Sequence, residues 1–197
     1  ADDHQSANAF AAAKGGAVTV SAQSLTGGDF ANMGTTTVTP APGGSIAITV
    51  GDLNVIGGAT ISSTAIQGRG GDVSVTATGS ALISGAGSAI RSGGDASSFI
   101  VSPAGNIVVN AGTLTVADSG VIQNGTTLDV AGSITVTAKD AVILQNGGAI
   151  LSQAFESNVG NVTISAPSLT IDNGLIQTST IQAGNAGNIV ADVGTLT

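Results

Sequence analysis

Few side chains in this protein could perform acid–base chemistry. The chain holds one histidine, His4, with 4 lysines and arginines and 12 acidic residues in 197. Hydrolysis of a glycosidic bond needs two carboxylates on one patch. Asp72 and Asp129 could approach other acids, but nothing in the sequence pairs them with one. Beyond Lys14, the cations fall at different phases of the repeat described below: Arg69, Arg91 and Lys139. We therefore predict that the protein is not an enzyme and has no cofactor.

Three short acidic segments raise the question of calcium. The calcium motif of β-helices repeats Gly-Gly-x-Gly-x-Asp in tandem, so that carbonyls and carboxylates from adjacent turns meet the ion. Gly27–Asp29, Gly70–Asp72 and Gly93–Asp95 share only Gly-Gly-Asp and do not recur at the nonapeptide spacing. We predict polar corner residues here and no metal site, with weak calcium binding at acidic corners left open. The absence of cysteine removes disulfides and thiolate sites together.

Threonines could form a different kind of site, an ice-binding face of stacked Thr-x-Thr. Thr35–Thr37 forms a cluster with Thr39. One phase of the repeat holds Thr19, Thr135 and Thr163, but Ala47, Ser74, Val108 and Val190 interrupt that column. Threonine and serine are ordinary residues on outward strand positions. Ice binding is therefore kept only as an alternative.

A short motif that returns seven times must position all of these side chains. It reads Gly-x-φ-x-φ, where φ is aliphatic, and its leading glycines are 28, 27, 34, 27, 28 and 27 residues apart. A fixed period in this range is typical of a solenoid, in which each repeat packs only on its neighbours. We assign the leading glycines to corners of the solenoid: Gly16, Gly44, Gly71, Gly105, Gly132, Gly160 and Gly187.

The unit Gly160–Ala186 shows the content of one repeat. Asn161–Ala166 and Ser168–Ile171 alternate apolar and polar residues, as half-buried strands do. Asp172–Gly174 contains Asn-Gly, a strong turn signal because both residues tolerate positive φ. Leu175–Ile181 supplies a third extended stretch. The repeat therefore predicts three strands and three turns.

Such short strands must pair with their copies in the next turn, about 4.8 Å along the axis. The predicted fold is all-β, a right-handed single-stranded parallel β-helix with about 27–28 residues per turn and six to seven turns. Its core consists of two inward aliphatic ladders. The first is Val18, Ile46, Val73, Ile107, Ile134, Val162 and Ile189, and the second is Val20, Ile48, Val75, Val109, Val136 and Ile164.

The repeats define one domain, residues 15–197, with an inserted loop at about 92–104 where the interval lengthens. Residues 1–14 differ in kind, because Ser6–Lys14 lacks glycine and is rich in helix formers. One interpretation is a helical cap over the first turn. At the other end, Gly194–Thr197 lies in the middle of a predicted second strand. We expect either a longer solenoid or another molecule that continues the stack.

Charge and hydropathy exclude some partners. The net charge of −8 argues against nucleic-acid binding, which requires a basic stripe. No apolar run has the length that a bilayer-spanning helix needs, so we predict no membrane insertion.

The segments Asn161–Ala166, Leu169–Ile171 and Asn173–Ile176 follow the pattern Gly-Asn-φ-Thr-φ-x-Ala, Leu-Thr-φ and Asn-Gly-x-Ile. In this they resemble, with the other repeats from Gly105 onward, the repeats of filamentous-haemagglutinin-like exoproteins exported by two-partner secretion. The likeness covers about residues 44–197, more loosely from 15. The resemblance implies an extracellular or surface-displayed β-helical stalk of a Gram-negative envelope, used in adhesion, aggregation or biofilm. Such exoproteins are usually much longer, and the secretion domain that begins them is not recognisable here.

We therefore expect a noncatalytic structural protein that self-associates end to end or laterally and contacts a glycan or protein of a host or cell surface. One alternative is a head-to-tail filament subunit. Another is a carbohydrate-binding or carbohydrate-active β-helix, with a groove formed by the loops at Asp29–Met33, Asp95–Phe99 and Phe155–Asn158.

Overall fold

The computed structural model describes residues 15–94, 103–126 and 129–197. Within these residues the protein is all-β and contains no helix, and its strands form a parallel β-solenoid of about 6 turns. In chain order the strands are β1 (Val18–Gly27), β2 (Asn32–Thr37), β3 (Ile46–Ile56), β4 (Thr60–Ala65), β5 (Val73–Ser84), β6 (Ala89–Gly94), β7 (Ile107–Ala117), β8 (Val121–Thr126), β9 (Ile134–Gln145), β10 (Ala149–Ala154), β11 (Val162–Asp172), β12 (Leu175–Thr180) and β13 (Ile189–Leu196).

Two parallel sheets build the solenoid. The odd-numbered strands form a seven-stranded sheet in the order β1-β3-β5-β7-β9-β11-β13, and the even-numbered strands form a six-stranded sheet. Every strand therefore pairs with its copy in the next coil and not with its neighbour in the chain. This arrangement confirms the β-helix that the repeat predicts.

The first two predicted strands of each repeat form one continuous long strand. The pairing register shifts where a turn was expected, between Val50 and Leu53 in β3 and between Ser165 and Ser168 in β11. A bulge of this kind lets a strand bend without losing its place in the sheet. The three extended segments per turn are thus present, but the first corner is a bend inside a strand.

The inward aliphatic ladders form the core. From Ile46 to Ile164 their members are at most 1% exposed, whereas Val18 and Val20 in β1 are half-buried and Ile189 in β13 is 47% exposed. Among the described strands, those of internal coils are covered on both sides, while β1 and β13 each have one neighbouring strand. Burial therefore depends on stacking, as nearest-neighbour packing of repeats requires.

The predicted corner glycines form a column in which the backbones approach closely. A Cβ on Gly71 would overlap the carbonyl oxygen of Gly44, and one on Gly105 would overlap that of Gly71. The same holds along the column at Gly44, Gly132, Gly160 and Gly187. None of these glycines has a positive φ. The absence of a side chain, and not a special backbone conformation, is what the corner requires.

Left-handed residues occupy the corner between the long and the short strand of each coil. Asp118 and Ser119 have φ of 51° and 67°, and Asn146 and Asn173 have φ of 50° and 54°. Asparagine and aspartate tolerate this region better than other side chains, which explains the Asn-Gly signal. Phe30, with φ 64°, is the bulky exception, and its ring lies against Gly58, where a Cβ would meet it at 2.6 Å.

The corner after each short strand carries the longest connections. The chain crosses it between residues 66 and 72 after β4, and between 95 and 106 after β6. The predicted insertion at about 92–104 begins within β6, and its residues 95–102 lie outside the described part of the chain. The predicted cap at residues 1–14 lies outside it as well.

Candidate functional site

A column of polar side chains points into the core beside the corner glycines. We call it the inner polar ladder, and strand pairing places its members in one register: Thr35, Ser63, Ser92, Asn124, Ser152 and Thr178. All but Thr178 are buried, at 1% exposure or less. A buried polar group is costly unless it is hydrogen-bonded. The partners of these side chains therefore decide what the ladder does.

The hydroxyls of the ladder satisfy the backbone of the glycine column. The Ser63 hydroxyl donates to the Gly44 carbonyl at 2.8 Å and accepts from the Gly71 N–H at 2.9 Å. Ser92 repeats the pattern one coil later, donating to the Gly71 carbonyl at 2.8 Å and accepting from the Gly105 N–H at 2.9 Å. Each hydroxyl thus joins the starts of two successive coils.

Asn124 is the one ladder member that carries an amide. Its Nδ2 donates to the Gly132 carbonyl, which also accepts from the Ser152 hydroxyl at 3.2 Å. Its Oδ1 is buried and has no hydrogen-bond partner among the described residues. An unpaired buried acceptor costs about 1–3 kcal/mol. Asn124 is therefore a local weak point of the ladder.

A second polar column lies on the outside, one residue after the corner glycines. The side chain of Asp72 accepts from the Asn106 N–H at 2.8 Å, and that of Asn106 accepts from the Ser133 N–H at 2.9 Å. Asn161 does the same for the Asn188 N–H at 2.9 Å. These contacts explain why Gly-Asn recurs in the motif: the amide oxygen continues the strand pairing around the corner.

The Asp52 carboxylate makes a similar contact at the bend of β3. It accepts from the backbone N–H and from the hydroxyl of Ser80, both at 2.8 Å. Hydrogen bonds to the charged form favour ionisation. They hold the pKa of Asp52 below its ordinary value of 3.8.

The charged residues weighed for catalysis lie apart from one another. Arg69 follows β4 and pairs with Asp72 at 2.8 Å, whereas Arg91 lies in β6 and Lys139 at the bend of β9. His4 and Lys14 lie outside the described residues. Within residues 15–94, 103–126 and 129–197, no group of three acidic or histidine side chains converges as metal ligands would.

The threonine column is as interrupted in space as it is in sequence. Thr135 and Thr163 pair side by side on the outer face of β9 and β11. Their neighbours in the same column are Val108 on one side and Val190 on the other. The ice-binding alternative stays a prediction.

The two described loops of the predicted carbohydrate groove do not meet. Asp29 and Phe30 precede β2 in the first coil, whereas Phe155–Asn158 follows β10, at the opposite end of the short strands and four coils away. A six-residue strand spans about 20 Å. The third loop, Asp95–Phe99, lies outside the described residues. The expected common groove is therefore wrong for the part of it that the structure describes.

Core-type side chains are accessible at the first and last described coils. A cavity of about 670 Å³ is lined by residues of the first two coils, among them Val20, Leu25 and Met33. In β13, Ile189 is 47% and Leu196 64% exposed. These surfaces have the apolar character of the contact between internal coils.

Sequence reasoning missed the inner polar ladder, although a signal for it exists. Two residues after the inward isoleucine of a short strand comes a small polar residue, as in Ile61–Ser63, Ile90–Ser92 and Ile150–Ser152. The period-2 alternation places both residues of each pair on the same face. Because these residues are polar, they look like outward-facing residues in the sequence.

No helix among the described residues has the length and apolar character of a membrane-spanning segment. No family model, no curated protein and no solved structure matches the chain.

Proposed function

We propose that the protein is a noncatalytic stalk or fibre segment of an exported bacterial surface adhesin, which serves adhesion, aggregation or biofilm formation. One observation carries the proposal: parallel pairing runs from β1 to β13 through every coil, over one continuous core. Because each coil contacts only its neighbours, such a rod spans distance in proportion to its number of coils. That is the mechanical task of a stalk.

The repeat motif supports the proposed location. The segments Asn161–Ala166 and Leu169–Ile171 resemble repeats of exoproteins that cross the envelope by two-partner secretion. A chain without cysteine forms no crosslink during export. Coil-by-coil stacking on neighbours is compatible with folding as the chain emerges.

Deletion of the repeats in the cell that encodes them, followed by complementation with a variant, tests the proposal. Deletion of residues 15–197 is expected to reduce aggregation and surface attachment. A rescue variant keeps the core and changes the outer face, with Ser74→Lys and Thr135→Lys. A stalk restores attachment in this variant, because its role depends on the rod and not on the outer side chains. Unchanged attachment after deletion would contradict a role in adhesion.

The same rescue separates a stalk from a carbohydrate-binding protein. If the folded outer-face variant forms the same assemblies as the parent and still fails to restore attachment, the outer face binds a ligand and the stalk proposal is wrong. Release of sugars from any polysaccharide by the purified protein would also overturn it. Light scattering and electron microscopy over a range of protein concentrations test the expected self-association, which gives filaments or side-by-side bundles.

A further inference from the structure

The outer side of the long sheet has two faces, because each odd-numbered strand from β3 to β11 bends in the middle. We call the second of them the post-bend face. Strand pairing aligns its central outward column, which consists of Asn54, Leu82, Thr115, Ile143 and Thr170. All five side chains are half-buried, and each belongs to a strand that is paired on both sides. Two large aliphatic groups therefore lie on the solvent side of internal coils, two coils or about 10 Å apart.

Neither edge of the post-bend face carries a long connection. One edge is the bend inside the strands, and the other is the tight corner before the short strands, whose longest connections are residues 28–31 and 85–88. The longer connections, such as residues 66–72, begin and end at the third corner, opposite this face. A flat surface can therefore approach the post-bend face without meeting a described connection.

The charged side chains lie at the edges of this face. Its central column is uncharged, although the net charge of the protein is −8. The bend carries Asp52, Lys139 and Asp140, and the tight corner carries Asp29, Asp118 and Asp172. Among the described residues, Lys139 makes no hydrogen bond or ion pair. The face thus combines an apolar centre with a free cation at one edge and acids at the other.

A second copy of the chain complements this pattern when two post-bend faces meet with their rods parallel. The two-fold axis then runs along the rods, so each residue of the central column faces itself. Leu82 meets the partner's Leu82, and Ile143 meets the partner's Ile143. The bend of one copy lies opposite the tight corner of the other. A two-fold interface requires such a self-complementary surface.

The charges at the edges also fit the parallel arrangement. Lys139 faces the partner's corner at Asn146, whose side chain donates to Asp118 of the adjacent coil at 3.2 Å. The cation therefore comes within one coil of an acid of the partner. Asp52 faces the partner's corner at Gly57, and Asp118 faces the bend at Gly112, so no acid directly faces an acid. Complementary charges of this kind set the orientation of an interface.

The antiparallel arrangement fits less well. A two-fold axis parallel to β7 brings Leu82 against the partner's Ile143, but it also joins like edges. Asp118, at the end of β7, then faces the partner's Asp118. Like charges that meet across an interface oppose association. The charges therefore favour parallel copies.

We propose that the post-bend face is the surface through which two copies of this protein pair side by side, parallel and in register. Seven strands with about five residues each bury roughly 1,100 Å² in a pair, just below the standard size of specific interfaces. Pairing of this chain is therefore weak and strengthens with the number of coils. Parallel copies point in one direction, as stalks attached to one cell surface do.

The pairing and the stalk function can fail independently. Pairing is measured on the purified chain, without reference to attachment of cells. Ser74 and Thr135, which change in the rescue variant, lie on the face before the bend and leave the post-bend face intact.

Single cysteines can map the pairing, because the chain has none of its own. A disulfide needs Cβ atoms about 3.5–4.5 Å apart. Under mild oxidation we expect Leu82→Cys to give a covalent dimer. A mixture of Leu82→Cys and Ile143→Cys proteins should give the two homodimers alone. A mixed disulfide between these proteins would reveal antiparallel copies and overturn the proposal. Val108→Cys, on the face before the bend, measures random collision, and equally fast cross-linking there would also overturn it.

Sedimentation equilibrium over a range of concentrations measures the same contact without a cross-link. The double variant Leu82→Thr with Ile143→Thr adopts the residue found between them in the column, so the strands should still form. We expect it to weaken dimerisation by about tenfold or more, because apolar area is lost from the centre of the contact. Val108→Thr removes a similar group from the other face and should leave the Kd unchanged. Circular dichroism confirms that each variant folds.

Three results of this measurement would contradict the interface. They are a parent protein that stays monomeric at all concentrations, equal weakening by Val108→Thr, and association that survives the double substitution. The last of these would place the contact on another surface of the rod.

Discussion

The hydroxyl groups of Ser63 and Ser92 occupy core positions where period-2 alternation alone would place aliphatic residues. They are there because the corner glycines leave backbone N–H and C=O groups that the sheets do not pair, and each hydroxyl supplies both a donor and an acceptor. An aliphatic side chain of the same size would fill the space and leave the Gly71 or Gly105 N–H without an acceptor. At the residue scale, polarity inside this core is therefore a structural requirement.

Substitution of Ser63 by alanine tests that requirement. Loss of the hydroxyl leaves the Gly71 N–H without its acceptor and the Gly44 carbonyl without one of its donors. We therefore expect the free energy of unfolding, measured in urea, to fall by about 1–3 kcal/mol. The matched control is Ser62→Ala, whose side chain points outward and should change stability by no more than about 0.5 kcal/mol. Equal effects of the two variants would contradict the role of the ladder.

The reverse effect is expected at Asn124. Serine occurs in the same register in both neighbouring coils, at Ser92 and Ser152. Asn124→Ser removes the unpaired Oδ1 and should raise the free energy of unfolding by about 1 kcal/mol. Denaturant titration measures the change. A loss of stability would show that the amide contact with the Gly132 carbonyl outweighs the unpaired oxygen.

The Asp52 contact gives a pH dependence whose sign is fixed. Its pKa is lower in the folded protein than its ordinary value, because Ser80 donates to the ionised carboxylate. The contribution to stability is therefore present at neutral pH and is lost as pH falls through 3.8 and then through the folded pKa. We expect Asp52→Asn to be less stable than the parent at neutral pH, with the difference shrinking in acid. A difference that does not change with pH would argue against this assignment.

At the element scale, the sequence predicts the strands and their pairing well because one signal, the alternation after each leading glycine, recurs in every coil. It predicts the first corner less well. A turn was expected around Pro167, but β11 continues through it: its register with β13 does not shift there, and the extra residue in its pairing with β9 lies in β9, between Thr137 and Ala141. The inner polar ladder was missed because its hydrogen bonds join residues such as Ser92 and Gly105, whose proximity exists only after coils stack. Local patterns carry no information on such contacts.

Removal of one whole coil tests the repeat as a folding unit. Deletion of residues 133–160 joins Gly132 to Asn161, which preserves the motif and brings β11 onto β7 in the register that β9 had. We expect the shortened protein to fold. Its free energy of unfolding should fall less steeply with denaturant concentration, because less surface is buried. Deletion of 133–146 removes the long strand alone and should prevent folding of the following coils. Circular dichroism and denaturation compare the two; similar spectra for both would contradict the coil as the unit.

At the scale of the whole molecule, stability is distributed along an axis, because the contacts of each coil are with its neighbours. Within the part of the chain that the structure describes, coils in the middle have two neighbours, while β1 and β13 have one each. The inward residues follow this difference, from Ile107 and Ile134 at 0% exposure to Ile189 at 47%. In an isolated polypeptide of these 197 residues, opening is therefore expected to begin at the first and last described coils and to move inward.

Native-state hydrogen exchange measures that gradient. We expect amides of β7 and β9 to exchange slowest and those of β1 and β13 fastest, with rates falling smoothly toward the middle. The corner glycines provide an internal reference for comparing exchange rates between coils, because the same corner occurs in each coil. Uniform protection in all coils would show that the solenoid opens only as one cooperative unit.

The connections after the short strands have a practical consequence. They differ in length, from residues 66–72 to residues 95–106, while the strands on both sides keep their pairing. A foreign peptide grafted into one of them would be presented on the same side of the rod as a peptide grafted into any other. Two grafts would be separated by multiples of about 4.8 Å, according to the number of coils between them. The protein can therefore serve as a scaffold in which the distance between two binding epitopes is set by the coils that carry them.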